Sequence, residues 1–321
     1  MKTIIKLILV SVTLFFFACN KDNDPVPKKD GWEYLASKDG LVNNNVRCIS
    51  IYDNGVWIGT EFGLSFYNGQ NFSNLNTPQG LIHHQVNAVS QDNAGNVWIG
   101  TPYGLSMRAG NQFINYNAES GLSYDFVYAV AIDQQQNPWV ATGKGVSYFD
   151  GTEWVIYQKD QGNSLVHNIV RDVAVDQSNS KWFGTEFGIS KFSNDTWQTY
   201  LAELPLADFI LDLYVDNQNR IWVGTLAGVS VIDGNNITDY SMQNGLVFDR
   251  VDAIAQDNEG VMWFATQYGV SAFDGSIWET YTTNNGLPES WVTSIAVDEA
   301  GKIWFGTKTK GLAVLKKAVL N

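Results

Sequence analysis

VWIGTEFGLSFYNG, residues 56–69, holds two short apolar runs, the first closed by Gly63 and the second by Asn68-Gly69. Val, Trp, Ile, Phe and Tyr suit a pleated, half-buried surface and Asn-Gly marks a hairpin, so the stretch predicts strand, turn, strand, turn. The same phrase returns as VWIGTPYGLSMRAG from Val97, PWVATGKGVSYFDG from Pro138 and KWFGTEFGISKFSN from Lys181. It appears again as IWVGTLAGVSVIDG from Ile221, MWFATQYGVSAFDG from Met262 and IWFGTKTKGLAVLK from Ile303. The Trp residues at 57, 98, 139, 182, 222, 263 and 304 are spaced by 41, 41, 43, 40, 41 and 41. A fixed period of this size signals a solenoid, a propeller or an array.

Outward from the phrase, each copy gains two more strands. Upstream lies an alternating apolar run such as VNAVSQD (86–92), followed by a turn such as NAGN (93–96). Downstream lies a run carrying an aromatic pair, as in EWVIY (153–157) and TWQTY (196–200). The Gly of the central turn recurs at 63, 104, 145, 188, 228, 269 and 311, where a positive φ is expected. Four strands per copy describe a propeller blade, and seven copies predict an all-β, seven-bladed β-propeller with four antiparallel strands per blade. The last copy stops after its third strand, GLAVLKK (311–317), whereas GWEYLASKDGL (31–41) supplies a fourth strand with no copy of its own. Trp32 and Leu35 there take the places of Trp154 and Tyr157. The N-terminal strand (31–36) is therefore expected to complete the last blade, which removes the unpaired edges of an open stack. The propeller is assigned to 31–317 and a C-terminal tail to 318–321.

The 321 residues carry a formal charge of −13, which argues against binding nucleic acid or anionic lipid through a basic face. Residues 1–18 read as a targeting segment: Lys2 and Lys6 precede an apolar run too short to span a bilayer. Its end, Ala18-Cys19, resembles a lipoprotein signal, although Phe16 and Phe17 depart from the usual pattern. The resemblance implies lipidation of Cys19 and a lipid-anchored place in the cell envelope, outer membrane, periplasmic or surface-exposed. Residues 19–30 then read as a polar tether. Cys48 is the one remaining thiol, and on an apolar strand it reads as a small buried hydrophobe.

The motif W-I-G-T-x-x-G-L-S, preceded by G-L…V-x-A-[IV]-x-x-D and followed by Y-x-G, resembles the two-component-regulator propeller repeat over residues 32–315. Blades 4 and 5 depart most: QGNSLVHNIV (161–170) carries two extra residues and ELPLADFI (203–210) lacks the Gly-Leu. The family's sensors continue into a β-sandwich, a membrane helix and a kinase. Only six residues follow Leu315, so the resemblance implies the fold and a bias towards ligand or partner binding.

Function is sought where the copies disagree. In the turn after the first strand they agree: Asp92, Asp133, Asp176, Asp216, Asp257 and Asp298 recur and suit turn bonds. On the opposite face they differ. Two residues past the Leu of the loop leading into each blade stand Asn43, His83, Tyr124, His167, Phe248 and Glu289. Just before the first strand stand Asn45, Gln85, Phe126, Ile169, Phe209, Arg250 and Trp291. The turn between second and third strands holds Phe62, Tyr103, Lys144, Phe187 and Tyr268, with Lys308 and Lys310 in blade 7. The candidate ligand-binding set is Asn43, Phe62, His83, Tyr103, Tyr124, Lys144, His167, Phe187, Phe248, Tyr268, Glu289 and Trp291.

Aromatics beside amides and charges suit a saccharide chain or a protein partner. The expected function is thus an extracytoplasmic binding protein for a polysaccharide, an oligosaccharide or an envelope protein, with no catalytic residue, metal or cofactor assigned. One alternative is an accessory sensor for a separate two-component kinase. Another is an enzyme resembling streptogramin lyase, which needs His83 or His167 to meet Glu289 across the axis.

Overall fold

A computed structural model describes residues 29–159, 165–200 and 209–316. The predicted targeting segment, Cys19, most of the tether and the tail lie outside these residues. Seven four-stranded antiparallel sheets are present. The first strands of successive sheets lie side by side in cyclic order, with Val292–Val297 returning to Val46–Tyr52. The sheets are therefore the seven blades of a closed propeller, each with its first strand against the axis. Hydrophobic clusters fill the seams between blades: Trp57 and Leu64 of blade 1 pack on Leu81, Val86, Val97 and Ile99 of blade 2.

The recurring letters turn out to be scaffold. Each Thr of the phrase closes its own turn: Thr101 Oγ1 donates to Gly104 O at 2.8 Å and accepts from Tyr103 N at 3.2 Å. Gly104 has φ 136°, and a Cβ there would fall 2.3 Å from Tyr116 O, so no other residue fits. The Ser two residues later holds the incoming loop, as Ser106 Oγ accepts from Ile82 N at 3.0 Å. The Gly before the Thr permits close approach of the next blade, since a Cβ on Gly100 would lie 2.6 Å from Val127.

The recurring Asp does more than cap a turn. Asp257 Oδ1 accepts from Glu259 N and Val261 N, both at 3.0 Å, while Oδ2 accepts from the indole of Trp263 at 2.9 Å. Asp92, Asp133, Asp176 and Asp216 repeat all three bonds. Asp and Trp are thus one unit, six residues apart, which lets a fully buried indole satisfy its N–H. Blade 1 has a shorter turn at Asp53–Asn54 without this Asp, and Trp57 instead donates to Gln91 Oε1 of blade 2 at 3.1 Å.

Closure follows the expected route. Trp32–Leu35 pairs antiparallel with Leu312–Lys316, Trp32 opposite Leu315 and Leu35 opposite Leu312. Fourth-strand aromatics sit beneath a Gly of their own blade's incoming loop, as Trp154 does under Gly121 and Trp278 under Gly245. Trp32 occupies the same seat under Gly286. Tyr34 Oη donates to Gly286 O at 2.8 Å, and Lys316 N donates to Gly31 O at 2.8 Å.

Candidate functional site

The loops that vary among copies come together at one end of the ring and form two concentric tiers. The outer tier contains most of the residues singled out by sequence. Phe62, Tyr103, Phe187 and Tyr268 are 53–62% exposed, and Tyr124 is exposed beside them. Within a blade the two variable loops meet: His83 lies 4.7 Å from Tyr103, His167 4.8 Å from Phe187 and Phe248 4.6 Å from Tyr268, ring centre to ring centre. In blades 1 and 2 the rings run on, with Phe62 stacked on His84 at 5.2 Å and His84 4.1 Å from His83. Glu289 is spent on its own blade, accepting from Thr309 N, Thr309 Oγ1 and Lys310 N.

Several outer residues have a local duty as well. Asn43 Oδ1, His83 Nδ1 and His167 Nδ1 each accept from the backbone N–H two residues on, at 2.8, 3.1 and 3.2 Å. Burial, then the neighbouring His84, holds the pKa of His83 below its ordinary value. One residue further on, Asn44, Asp125, Asn168 and Asp249 accept from Ser37, Ala118, Lys159 and Met242 N–H, as expected of turn formers. Lys144 stands on the same rim, its backbone carbonyl accepting from Gln158.

The inner tier surrounds a cavity of about 410 Å³ on the axis. Trp291 belongs here, with Asn45, Phe126, Arg250 and Lys308. Val46 also lines it, and the rest of the lining comes from the second residue of the first strand in six blades, Arg47, Tyr128, Arg171, Leu211, Asp252 and Thr293, and from the equivalent Asn87, just before the shorter first strand of blade 2. These had not been singled out. The signal was present, because that position holds six residue types in seven copies while the residue before it is Val or Ile in every one. It lay inside a strand, where variation reads as surface drift unless the strand is known to face the axis.

The cavity wall is held in place by paired charges. Arg47 bonds Glu61 (3.1 Å) and Asn87 (3.0 Å). Arg171 bonds Glu186 through Nε (3.1 Å) and Nη2, and its guanidinium lies 4.5 Å from the Tyr128 ring and 5.2 Å from that of Phe209. Phe209 adopts φ 64°, uncommon for a bulky residue. Arg250 bonds Asp252 (2.7 Å), whose other oxygen accepts from the Trp291 indole (3.2 Å). Lys308 Nζ stands 5.4 Å from the Trp291 ring centre.

Below the mouth, the innermost strands are stitched together by side chains reaching the next blade's backbone. Asn87 donates to Val127 O (2.8 Å) and Thr293 to Val46 O (2.7 Å). Asp172 accepts from Leu213 N (2.7 Å) and Asp212 from Ile254 N (2.8 Å). Burial pushes the Asp172 carboxyl up to about 7. Burial, then the charges of Asp172 and Asp252, raises Asp212 well above the usual carboxylate range.

Both acids bind a proton more tightly folded than unfolded, so their contribution to stability is full below about pH 4 and falls as pH rises through neutrality. Asp172→Asn and Asp212→Asn keep an oxygen for the next blade's N–H but cannot ionise. Each is expected to stabilise the protein by about 1–2 kcal/mol or more at pH 8 and to change little at pH 4. Thermal melts of wild type and variants at the two pH values check this; an equal shift at both would deny the raised carboxyls.

A hollow of 530 Å³ lies at the other end, where the short Asp53–Asn54 turn leaves the seam between blades 7 and 1 uncovered. It follows from one missing residue unit and gathers no convergent set of side chains from around the ring. Among the described residues no cluster of His, Cys, Asp or Glu is placed to hold a metal. Cys48 packs in the seam beneath Gly59, and burial pushes its thiol up to about 12, which keeps it protonated.

Residues 80–103, 205–227, 245–268 and 286–309, in blades 2, 5, 6 and 7, match the family model described as "Two component regulator propeller". These blades are two component regulator propeller repeats. No curated protein matches the sequence. The chain is similar in fold to an extracellular domain of a proposed hybrid two component system from B. thetaiotaomicron, with 22% identity and a TM-score of 0.78. The match covers 89% of this chain and 42% of that one, so the chain spans less than half of that relative's length. It is also similar in fold to virginiamycin B lyase from Staphylococcus aureus (16% identity, TM-score 0.72, 89% of this chain and 99% of that one). PorZ of Porphyromonas gingivalis, described as a surface component of the type-IX secretion system, gives 16% identity and a TM-score of 0.69 over 87% of this chain and 47% of that one. No helix among the described residues is long and apolar enough to cross a membrane.

Proposed function

We propose that the regulator propeller is a binding protein of the cell envelope, lipid-anchored through Cys19, that captures a saccharide at the axial mouth. The observation that carries this is the inner cavity, where side chains of all seven blades converge and Trp291, Tyr128 and Phe126 stand beside guanidinium and amide groups. Its 410 Å³ suits one or two sugar rings, and the mix of flat apolar surface and fixed polar groups is what a sugar's two-sided chemistry requires. The anchor and the envelope location rest on residues 1–19 of the sequence.

Screening the purified protein against plant, algal and host oligosaccharides by thermal shift tests capture. Trp291→Ala is expected to weaken binding at least tenfold, and Tyr103→Ala, one tier out, by less. Loss of neither would remove the mouth as the site. Fatty-acid labelling that persists in Cys19→Ala would remove the anchor.

A second reading has its own observation. The exposed rings Phe62, Tyr103, Phe187 and Tyr268 form a broken apolar collar outside the mouth, of a kind that marks protein contacts. The collar suits an envelope protein, such as a separate kinase for which this propeller is an accessory sensor. Cross-linking on intact cells that is unchanged when these four residues become Ser would set this reading aside. The lyase-like reading is disfavoured because His83, His167 and Glu289 each bond within their own blades.

A further inference from the structure

The cations of this acidic chain are not spread evenly. It contains five arginines, and three of them, Arg47, Arg171 and Arg250, line the axial cavity together with Lys308. For a protein of charge −13 this is a concentration of positive groups at one place. The arginines are also prepared. Arg171 and Arg250 turn Nε and Nη2 to a carboxylate, which fixes each guanidinium plane and leaves the Nη1 hydrogens unassigned among the described residues. Lys308 forms no ion pair among the described residues; its ammonium is held over Trp291 instead. The remaining Nη1 hydrogens of two fixed guanidinium groups and an ammonium without an ion pair face one cavity, and a carboxylate is a group that fits them.

Resting on the saccharide reading above, we propose that the mouth selects acidic saccharides, a uronic acid whose carboxylate meets Lys308 and the free edge of Arg250 while its ring lies against Trp291 or Tyr128. A neutral sugar supplies hydroxyls to these donors but no charge, so it leaves the Lys308 ammonium uncompensated. Glu61, Glu186 and Asp252 pair with the three arginines, so the positive charge facing the cavity without an ion pair among the described residues is that of Lys308.

The experiment uses the purified protein and trisaccharides of galacturonate, glucuronate and guluronate, each beside its methyl ester, which has the same shape without the charge. Calorimetry is expected to show at least one free acid binding tenfold or more tightly than its ester, the preference shrinking as salt rises from 50 to 500 mM. Lys308→Ala should erase the preference and Lys308→Arg restore it. Esters or neutral galactotriose binding as well as the acids would overturn the acidic preference and leave saccharide capture standing. Binding of acidic peptides with no saccharide binding at all would overturn both.

Discussion

Trp32→Ala is expected to lower the unfolding free energy by about 3 kcal/mol, although Trp32 stands at the extreme edge of the fold. Its ring lies 5.6 Å from Phe305, lies near Tyr281, and fills the seat under Gly286. Elsewhere such a seat joins residues about one repeat apart in sequence, as Gly121 and Trp154 are; here it joins residues near opposite ends of the described sequence. Losing it leaves the Leu312–Lys316 strand held on one side by a weakened partner. Its backbone N–H and C=O groups are then open to pairing with another chain. Urea unfolding and size-exclusion chromatography should show an earlier midpoint together with aggregation. Gly286→Val tests the clasp from the other side, since a Cβ there would fall 2.1 Å from Trp32 Nε1 at a backbone φ of 131°. An unchanged midpoint in both variants would mean that the ring stays shut without the N-terminal strand.

Asp257→Ala should be the more severe of the single substitutions inside a blade, at about 3–5 kcal/mol. It strips the acceptor from two backbone N–H groups and from the indole of Trp263, which is 0% exposed and has no water to turn to. An unmet buried donor costs about 1–3 kcal/mol, and the three share one site, so the sum is less than additive. Asp257→Asn separates the contributions. Its amide oxygen can serve the turn, but its NH2 would face the indole N–H, so an intermediate loss is expected. Denaturation with Trp fluorescence as the probe reads both the loss and any change around Trp263. Equal effects of Ala and Asn would show that the indole bond, rather than the turn, dominates.

The ring and its closure were legible because they rest on repetition, and repetition is visible without coordinates. Gly63 and its six counterparts do take positive φ, and Trp32 pairs where the count of strands placed it. The outer tier was legible too: the positions of His83, Phe187 and Tyr268 hold several residue types around the ring and lie in loops, where variation draws notice. What stayed hidden was a matter of direction. Whether residue 171 points to the axis or into a seam depends on which edge of the blade the first strand occupies and on the register shift between Val170 and Asp172. Nothing in the letters R-D announces that one lines a cavity and the other is buried in its wall. The Asp–Trp unit was half legible, since a turn-forming Asp explains Asp257 fully until the indole six residues on is seen to share it.

The seating of the mouth residues has a consequence for how such molecules change. Tyr128 and Leu211 sit on strands of blades secured elsewhere, by Thr142, Ser147 and Asp133 in one and by Thr225, Ser230 and Asp216 in the other, and neither side chain bonds a neighbouring backbone among the described residues. Such a seat is a socket that accepts a different plug while the wheel keeps turning true. A lineage that duplicates blades can therefore explore new cargo one spoke at a time, with folding left out of the wager.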